Sequence, residues 1–422
     1  MSFKRGVQLA GFARRHLGRM KRGRRDVMAH LSAPGAGNLP MPTFVQLRVT
    51  NLCNLRCKMC GQWGDTGIYR ADGFSASATD GEKERNRIRE LIGAKRQLSL
   101  SEYRRLLDEI APGRPIVSLF GGEPLLYPDI LPLVREIKRR DLTCTIITNG
   151  GRLEAYAREL VESGIDSIAV SFDGPAETHD RIRGQKGAFE KAAAGVRSVA
   201  RWRRELDRVL PMQIAILPVT DLNTDQIGPA IEVLRELPLD TINVGLRWFV
   251  PKEVGASYER VMSEAFGVSG ASWKGFQFDP AVVSDDGHQR AMTDLVRLLK
   301  SLRRRRYIES TLGKPWISFV PEVEPEKVPE YFSDFSQTFG HNLCPVAWYF
   351  AQVEPDGEVC FCGDFPDYFI GNVRNQSFQE VWTGAKAMKF REKLAREPLP
   401  ICNRCCGNYI YGKWERPKTV GN

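Results

Sequence analysis

The feature that most constrains this chain is a loop with three cysteines, which directly follows a short stretch of alternating apolar residues. Cys53, Cys57 and Cys60 have the spacing C-x3-C-x2-C, and the apolar residues of 45–49 alternate as in a β-strand. Thiolates are soft ligands that suit iron–sulfur clusters, zinc and copper(I). Closed zinc and iron–sulfur sites usually take four protein ligands. Three thiols on one loop therefore predict a cluster with one iron left open, and the alternative is a zinc loop completed by a distant fourth cysteine.

Length and cysteine usage narrow the class of protein. The chain has 422 residues, of which 42% are hydrophobic, enough for a sizeable core and two or more domains. No apolar run approaches the roughly 20 residues that span a bilayer, and no apolar export segment begins the chain. Of the ten cysteines, nine fall into two dense groups and Cys144 stands alone. We therefore expect a cytoplasmic protein that uses cysteine for metal binding, with Cys144 as a small buried hydrophobe.

The net charge of +10 is concentrated in one segment. Residues 1–31 contain nine basic residues and one acidic residue, a net charge of +8, and the rest of the chain carries about +2. The body is therefore not expected to bind nucleic acid. Residues 3–20 resemble a basic amphipathic helix, which could make a peripheral membrane contact, stay solvated or pack on its own body. A linker at 32–43 rich in Pro and Gly separates this arm from the first strand.

After the cysteine loop, apolar strands alternate with amphipathic segments of helical period. The residues at 64–97 form a long polar connection, either a lid or a surface insertion, and Ser99 with Glu102 predicts a capping box that starts a helix. Strands are predicted at 116–120, 144–148, 167–172, 212–217, 241–246 and 316–320. Helices are predicted near 129–139, 154–163, 187–204, 225–234 and 288–304. This order predicts an α/β fold with parallel strands, six or seven βα units, and active-site residues at the carboxyl ends of the strands.

Several motifs fall at those strand ends. Gly121-Gly122-Glu123-Pro124 follows the second strand, Thr148-Asn149-Gly150 the third and Ser171-Phe172-Asp173-Gly174 the fourth. With the cysteine loop, these segments resemble the radical S-adenosylmethionine (SAM) superfamily. The resemblance implies a partial (β/α)6 barrel, with its core at 44–250 and a variable completing region at 251–340.

The resemblance also implies a cofactor and its contacts. Cys53, Cys57 and Cys60 would hold a [4Fe–4S] cluster whose open iron is chelated by SAM. The glycine-rich motif would meet the SAM amino group, and polar side chains at the later strand ends would meet its ribose or carboxylate. Met59 stands where the family often has an aromatic residue near the adenine, and Asn223 is either a family residue or a helix cap. The residues assigned to SAM are Met59, Gly121, Gly122, Glu123, Pro124, Asn149, Ser171, Asp173 and Arg183.

A second cysteine group lies in the region 341–422. Its segment PDGEVCFC predicts a hairpin, and the group resembles the SPASM/twitch extension of radical SAM enzymes. The resemblance implies an auxiliary [4Fe–4S] cluster on Cys344, Cys362, Cys402 and Cys405. Cys360 could replace Cys362, and Cys406 could replace Cys405. Since too few cysteines remain for a second auxiliary cluster, the shorter twitch form is expected; the alternative is a zinc site with four cysteines.

The implied reaction is reductive cleavage of SAM to a 5′-deoxyadenosyl radical, which abstracts a hydrogen atom from an unidentified substrate. That substrate could be a peptide or protein side chain, or a small polar natural product. The auxiliary cluster would accept an electron or bind substrate, with Asp364 as a catalytic base and Asp356 as a turn residue. A flavodoxin or ferredoxin is the expected electron donor. The competing hypothesis is a non-enzymatic interaction protein with zinc sites.

Overall fold

The computed structural model describes residues 39–64, 97–279 and 285–405, with a few single positions outside these ranges. The predictions for the basic arm at 3–20 and for the connection at 64–97 therefore lie almost entirely outside the described residues, and Cys406 lies outside them as well. Among the helices of the described ranges, none combines the length and apolar character that a membrane-spanning helix needs.

Seven parallel strands in sequential order form the core of the sheet, with each strand hydrogen-bonded to the next. These strands are β1 (Phe44–Thr50), β2 (Ile116–Gly121), β3 (Thr143–Thr148), β4 (Ser167–Ser171), β5 (Met212–Val219), β6 (Thr241–Leu246) and β7 (Trp316–Val320). Alternate residues of β3, β5 and β6 are buried, as expected for a sheet that packs against helices on its outer face. β7 does not pair with β1, so the sheet forms an open, partial barrel.

Helices connect these strands. They are α1 (Leu100–Ile110), α2 (Ile130–Arg139), α3 (Leu153–Glu162), α4 (Ala176–Arg183), α5 (Ala188–Glu205), α6 (Ile227–Arg235), α7 (Lys252–Phe266), α8 (Asp286–Thr311) and α9 (Val328–Ser333). The predicted capping box starts α1, since the Ser99 side chain accepts a hydrogen bond from the Glu102 amide and the Glu102 carboxylate accepts one from the Ser99 amide. The apolar stripe of α1 is buried in the core as its spacing predicts.

The C-terminal region extends the same sheet. It contributes α10 (Val346–Tyr349), β8 (Phe350–Val353), β9 (Glu358–Cys360), β10 (Gly371–Asn372), α11 (Phe378–Thr383) and α12 (Ala385–Arg396). β8 lies parallel to β1 and antiparallel to β9, so the cysteine-rich region is joined to the core by strand pairing. The predicted hairpin turn is present, with Gly357 at a φ of +89°.

The α/β class and the partial barrel are confirmed. The structure adds elements that the sequence pattern did not predict, above all α4, α7 and the pairing of β8 with β1. The sequence of α4, AETHDRIR, does not predict a helix, because it is mostly polar and has too few apolar residues to show a helical period.

Candidate active site

The carboxyl ends of β1 to β7 surround a cavity of about 320 Å³. Most of the predicted site residues line it, although they are spread over more than 300 positions of sequence. Those that line the cavity are Cys53, Cys57, Met59, Cys60, Gly121, Gly122, Asn149, Ser171, Arg183 and Asp364. The cavity therefore joins the cysteine loop of the core to a side chain of the C-terminal region.

The cysteine loop is held in a compact turn by its own backbone. The Cys60 amide donates to the Cys57 carbonyl at 3.1 Å, and the Gly64 amide donates to the Cys60 carbonyl at 2.8 Å. Two thiols also accept backbone hydrogen bonds, Cys53 from Leu55 at 3.5 Å and Cys60 from Trp63 at 3.4 Å. N–H donors to sulfur are one of the means by which a protein tunes an iron–sulfur cluster.

Burial alone disfavours charged thiolates at this loop. It raises the pKa of Cys53 to about 12, and it also raises the pKa of Cys57, where the Arg183 guanidinium acts in the opposite direction. Thiolates at such positions need a positive partner, and iron ions would supply it. A three-thiol set that opens on a cavity fits a cluster with one iron left for another ligand.

Arg183 connects α4 to the cysteine loop. Its guanidinium lies 3.8 Å from the Cys57 sulfur and makes a two-pronged ion pair with Asp173, at 2.5 and 3.0 Å. Both residues of the pair are buried, and Asp173 does not line the cavity. The structure thus places Arg183 at the cavity wall and Asp173 behind it, where the carboxylate orients the guanidinium.

The two glycines at the end of β2 are required by contact with the cysteine loop. A Cβ on Gly121, whose φ is +153°, would lie 2.3 Å from the Thr50 carbonyl oxygen, and a Cβ on Gly122 would lie 2.2 Å from the Leu52 carbonyl oxygen. The same two carbonyls accept hydrogen bonds, Thr50 from the Gly122 amide and Leu52 from the Glu123 amide, and these bonds stabilise the contact. The missing side chains therefore let the ends of β1 and β2 approach each other, besides leaving backbone exposed to the cavity.

Glu123 lies beneath the cavity and does not line it. Its fully buried carboxylate accepts hydrogen bonds from the Leu125 amide at 3.0 Å, the Thr148 hydroxyl at 2.7 Å and the Asn149 amide at 2.8 Å. Burial raises the pKa of Glu123, and these donors oppose the rise. In this structure Glu123 ties the end of β2 to the end of β3, and its contact with the SAM amino group stays a prediction.

Two other predicted residues support the site without lining it. Pro124 begins the turn after Glu123 and is buried. Asn223 is fully buried and donates to the Asp173 and Pro218 carbonyls, both at 2.8 Å, while its side-chain oxygen accepts from the Thr220 amide at 2.7 Å. Asn223 therefore joins the ends of β4 and β5.

The cavity wall also contains residues that were not predicted from the sequence. Arg247 and Trp248 follow β6, and Arg404 and Tyr409 come from the C-terminal region. The rule that site residues follow parallel strands could have found the first two. The others have no local signal, because only the three-dimensional packing of the C-terminal region brings them to the barrel.

The four cysteines assigned to the auxiliary cluster lie near one another. Cys344 and Cys402 are hydrogen-bonded, and this bond lowers the pKa of Cys344. The same bond raises the pKa of Cys402, as do burial and the neighbouring thiols Cys405 and Cys362. Burial is the largest cause that raises the pKa of Cys362, and the charges of Cys344 and Cys405 raise it further. The donor set therefore fits a cluster held by four thiolates.

Cys360 has a different environment. Burial is the largest cause that raises the pKa of Cys360, and the charge of Glu354 raises it further, whereas Arg48 lowers it. These neighbours are charged residues, one in β1 and one after β8, and the choice of Cys362 over Cys360 as the ligand stays a prediction. Among the described residues, no three His, Cys, Asp or Glu side chains are arranged to hold a single metal ion. A four-iron cluster makes a different demand, because each thiolate binds its own iron.

Comparison with known proteins identifies the family. The Radical SAM superfamily profile matches residues 47–207, and the SPASM iron–sulfur cluster-binding domain profile matches residues 344–406. This chain belongs to the radical SAM superfamily and carries a SPASM domain. It is therefore an enzyme that uses SAM and [4Fe–4S] clusters. Nothing in the comparisons supports the zinc-module alternative.

Two curated relatives match most of the chain. The pre-heme d1 synthase of Dinoroseobacter shibae is 25% identical over 90% of this chain and 82% of its own length. The AdoMet-dependent heme synthase of Methanosarcina barkeri is 26% identical over 86% of this chain and 87% of its own. Among solved structures, Streptococcus suis SuiB bound to SAM shares the fold, with a TM-score of 0.52 and 16% identity over 89% of this chain and 73% of SuiB.

Proposed function

We propose that this radical SAM enzyme abstracts a hydrogen atom from a substrate held between the three-cysteine loop and the auxiliary cluster. When bound, the [4Fe–4S] cluster with one open iron supplies the electron that cleaves SAM into methionine and a 5′-deoxyadenosyl radical. The observation that carries the proposal is that one cavity is lined by Cys53, Cys57 and Cys60 on one side and by Asp364 and Tyr409 of the C-terminal region on the other.

The residues of this chain have separate tasks in the proposal. Asn149 and Ser171 line the wall beside the cysteine loop and would bind polar groups of SAM. Asp364 is half-buried in the opposite wall, two residues beyond Cys362, where it could accept a proton from the oxidised substrate. The apolar side chains between them exclude water from the radical.

We propose further that the substrate is a tetrapyrrole with carboxylate side chains. Two relatives that match over 86% to 90% of this chain are named as synthases of heme or pre-heme d1. The cavity wall includes aromatic side chains together with Arg247. The Arg247 guanidinium donates one hydrogen bond to Asp221 at 2.8 Å and keeps further N–H groups that can bind a substrate carboxylate.

The test is anaerobic incubation of the reconstituted enzyme with SAM and dithionite, with 5′-deoxyadenosine measured. We expect slow formation without substrate and faster formation with iron coproporphyrin III. In Arg247→Gln the acceleration should be lost, whereas the slow background rate should remain. Acceleration by peptides and not by the tetrapyrrole would refute the substrate class, and absence of 5′-deoxyadenosine under all conditions would refute the proposed reaction.

A further inference from the structure

The edge of the barrel opposite the active site carries the most exposed large apolar side chains of the described chain. Tyr307, Ile308 and Leu312, at the end of α8, are 62%, 65% and 75% exposed, whereas the next in the described residues, Leu52 and Val233, reach only 38%. Scattered exposed apolar residues are ordinary, but three within six positions of one helix end form a patch that calls for a partner.

A cationic cavity of about 450 Å³ adjoins this patch. Its wall comes from the end of α5, the end of α6 and the turn at 313–315 that follows Leu312. Two of its arginines are neutralised inside the protein, Arg203 by Asp240 at 2.7 Å and Arg235 by Glu309 at 2.5 Å. The ion pair between Arg235 and Glu309 also connects the cavity wall to α8, where Glu309 is the residue after the exposed Ile308.

Other cations at this edge have no acidic partner. Arg204 and Arg208 line the cavity, are exposed and form no ion pair or side-chain hydrogen bond within the described structure. Arg304 on α8 and Lys314 after it flank the apolar side chains; both are exposed and form no ion pair or side-chain hydrogen bond within the described structure. The cavity wall also contains the exposed acid Asp207, so the cavity is not lined by cations alone.

We propose that this face, defined by Arg204, Arg208, Tyr307, Ile308 and Leu312 and named here the basal patch, binds the surface of an anionic lipid bilayer. Exposed aliphatic side chains can enter the boundary between headgroups and acyl chains, and a tyrosine suits that boundary. Arginine guanidinium groups bind phosphate headgroups through paired hydrogen bonds. The combination of apolar side chains and free cations is complementary to such a surface.

The position of the basal patch argues against the electron donor as its partner. All its segments precede strands, whereas the cysteine loop follows β1, so the barrel lies between them. Strands of five to eight residues separate the two edges by about 17–26 Å. A membrane bound at the basal patch would leave the active-site edge facing away from the lipid, open to substrate and to the electron donor.

The test is flotation of the full-length holoenzyme with vesicles of phosphatidylcholine alone and of phosphatidylcholine mixed equally with phosphatidylglycerol. We expect binding to the anionic vesicles only. Ile308→Ser/Leu312→Ser should weaken this vesicle binding by at least about tenfold. Arg204→Gln/Arg208→Gln should weaken it by about fivefold for each arginine, and this loss should be smaller at high salt, which screens the charges. Lys191→Gln/Arg260→Gln removes two exposed charges elsewhere and should bind like the wild type.

Each other outcome overturns the proposal. Undiminished vesicle binding in both basal-patch variants would assign the interaction to another segment, such as the basic arm at 1–31. Absence of vesicle binding, with a dimer that Ile308→Ser/Leu312→Ser dissociates in light scattering, would make a second copy of this chain the partner. Unchanged background SAM cleavage in all the variants checks that they remain folded.

Discussion

The two cysteine centres of this enzyme are built in opposite ways. Cys53, Cys57 and Cys60 lie on one loop, whose shape depends on short-range backbone hydrogen bonds, and all three line the cavity. The auxiliary thiols come from separate segments, before α10, after β9 and in the turn at 402–405, and none of them lines the cavity. The first centre is therefore local and open, while the second depends on tertiary packing and is closed.

This difference suggests separate tasks for the two centres. An open edge on the cavity lets a small molecule reach the metal, whereas burial and a complete set of thiolates suit electron storage or transfer. It also suggests different weaknesses. The loop centre should fail through loss of a single ligand, and the auxiliary centre should fail through either ligand loss or local unfolding.

The largest expected effect comes from removing the loop thiols. In Cys53→Ala/Cys57→Ala/Cys60→Ala, formation of 5′-deoxyadenosine should be abolished, and iron should fall from about eight to about four per chain because the auxiliary cluster remains. Product analysis and iron determination in an anaerobic preparation measure both quantities. Cys144→Ala, which removes a buried thiol of β3 outside both centres, is the control. Normal product formation in the triple variant would disprove the role of the loop.

The second effect tests the closed centre. Cys402→Ala should also lower iron from about eight to about four per chain, yet leave SAM cleavage measurable while substrate conversion is lost. Cys360→Ala is the matched control, because Cys360 lies close to this centre but faces Arg48 and Glu354. If Cys360→Ala lost iron and Cys402→Ala retained it, the ligand assignment would be wrong.

The contrast between local and tertiary construction also explains what could be predicted from sequence. The segments that form the site could be predicted from the sequence, because each is encoded within a few residues. They are the cysteine loop, the glycines at the end of β2 and the polar residues at the ends of β3 and β4. The roles of Glu123 and Asp173 could not be predicted, because burial beneath the cavity is a property of the packed barrel.

The auxiliary centre shows the limit more clearly. Cys360 and Cys362 would share one face of a strand, so the spacing alone could not choose between them. The structure separates them because β9 ends at Cys360 and the chain then turns. Likewise, no local pattern predicts that β8 pairs with β1, since both strands are short apolar stretches that could pair with several others.

That pairing leads to the third prediction. Arg48 of β1 and Glu354 after β8 form a buried ion pair at 3.4 Å, and Gln46 bonds Gln352 at 2.8 Å across the same strands. Removal of one partner of a buried pair costs about 3–5 kcal/mol, because the other charge is left uncompensated. Arg48→Met should therefore destabilise the fold strongly, and Arg48→Met/Glu354→Gln should recover part of the loss.

The measurement is thermal unfolding, followed both by far-ultraviolet circular dichroism and by cluster absorbance. Because strand pairing places both centres on one sheet, the two signals should change together. Arg158→Met removes an exposed ion pair with Glu162 and should leave the free energy of unfolding nearly unchanged. Loss of the auxiliary cluster well before the circular dichroism transition would show that the two regions unfold separately.

The smallest expected effect compares the two regions most directly. Each has a helix that begins with a complete capping box, Ser99 with Glu102 on α1 and Ser377 with Glu380 on α11. Ser99→Ala and Ser377→Ala should each lower the free energy of unfolding by about 1 kcal/mol, because an amide at the helix start loses its acceptor. Ser99→Thr and Ser377→Thr keep a hydroxyl and should be nearly neutral. If the two regions unfold as one unit, both alanine variants should lower the temperature of one shared unfolding transition. If Ser377→Ala shifted the auxiliary-cluster signal alone, the closed centre would lie in a region that unfolds separately.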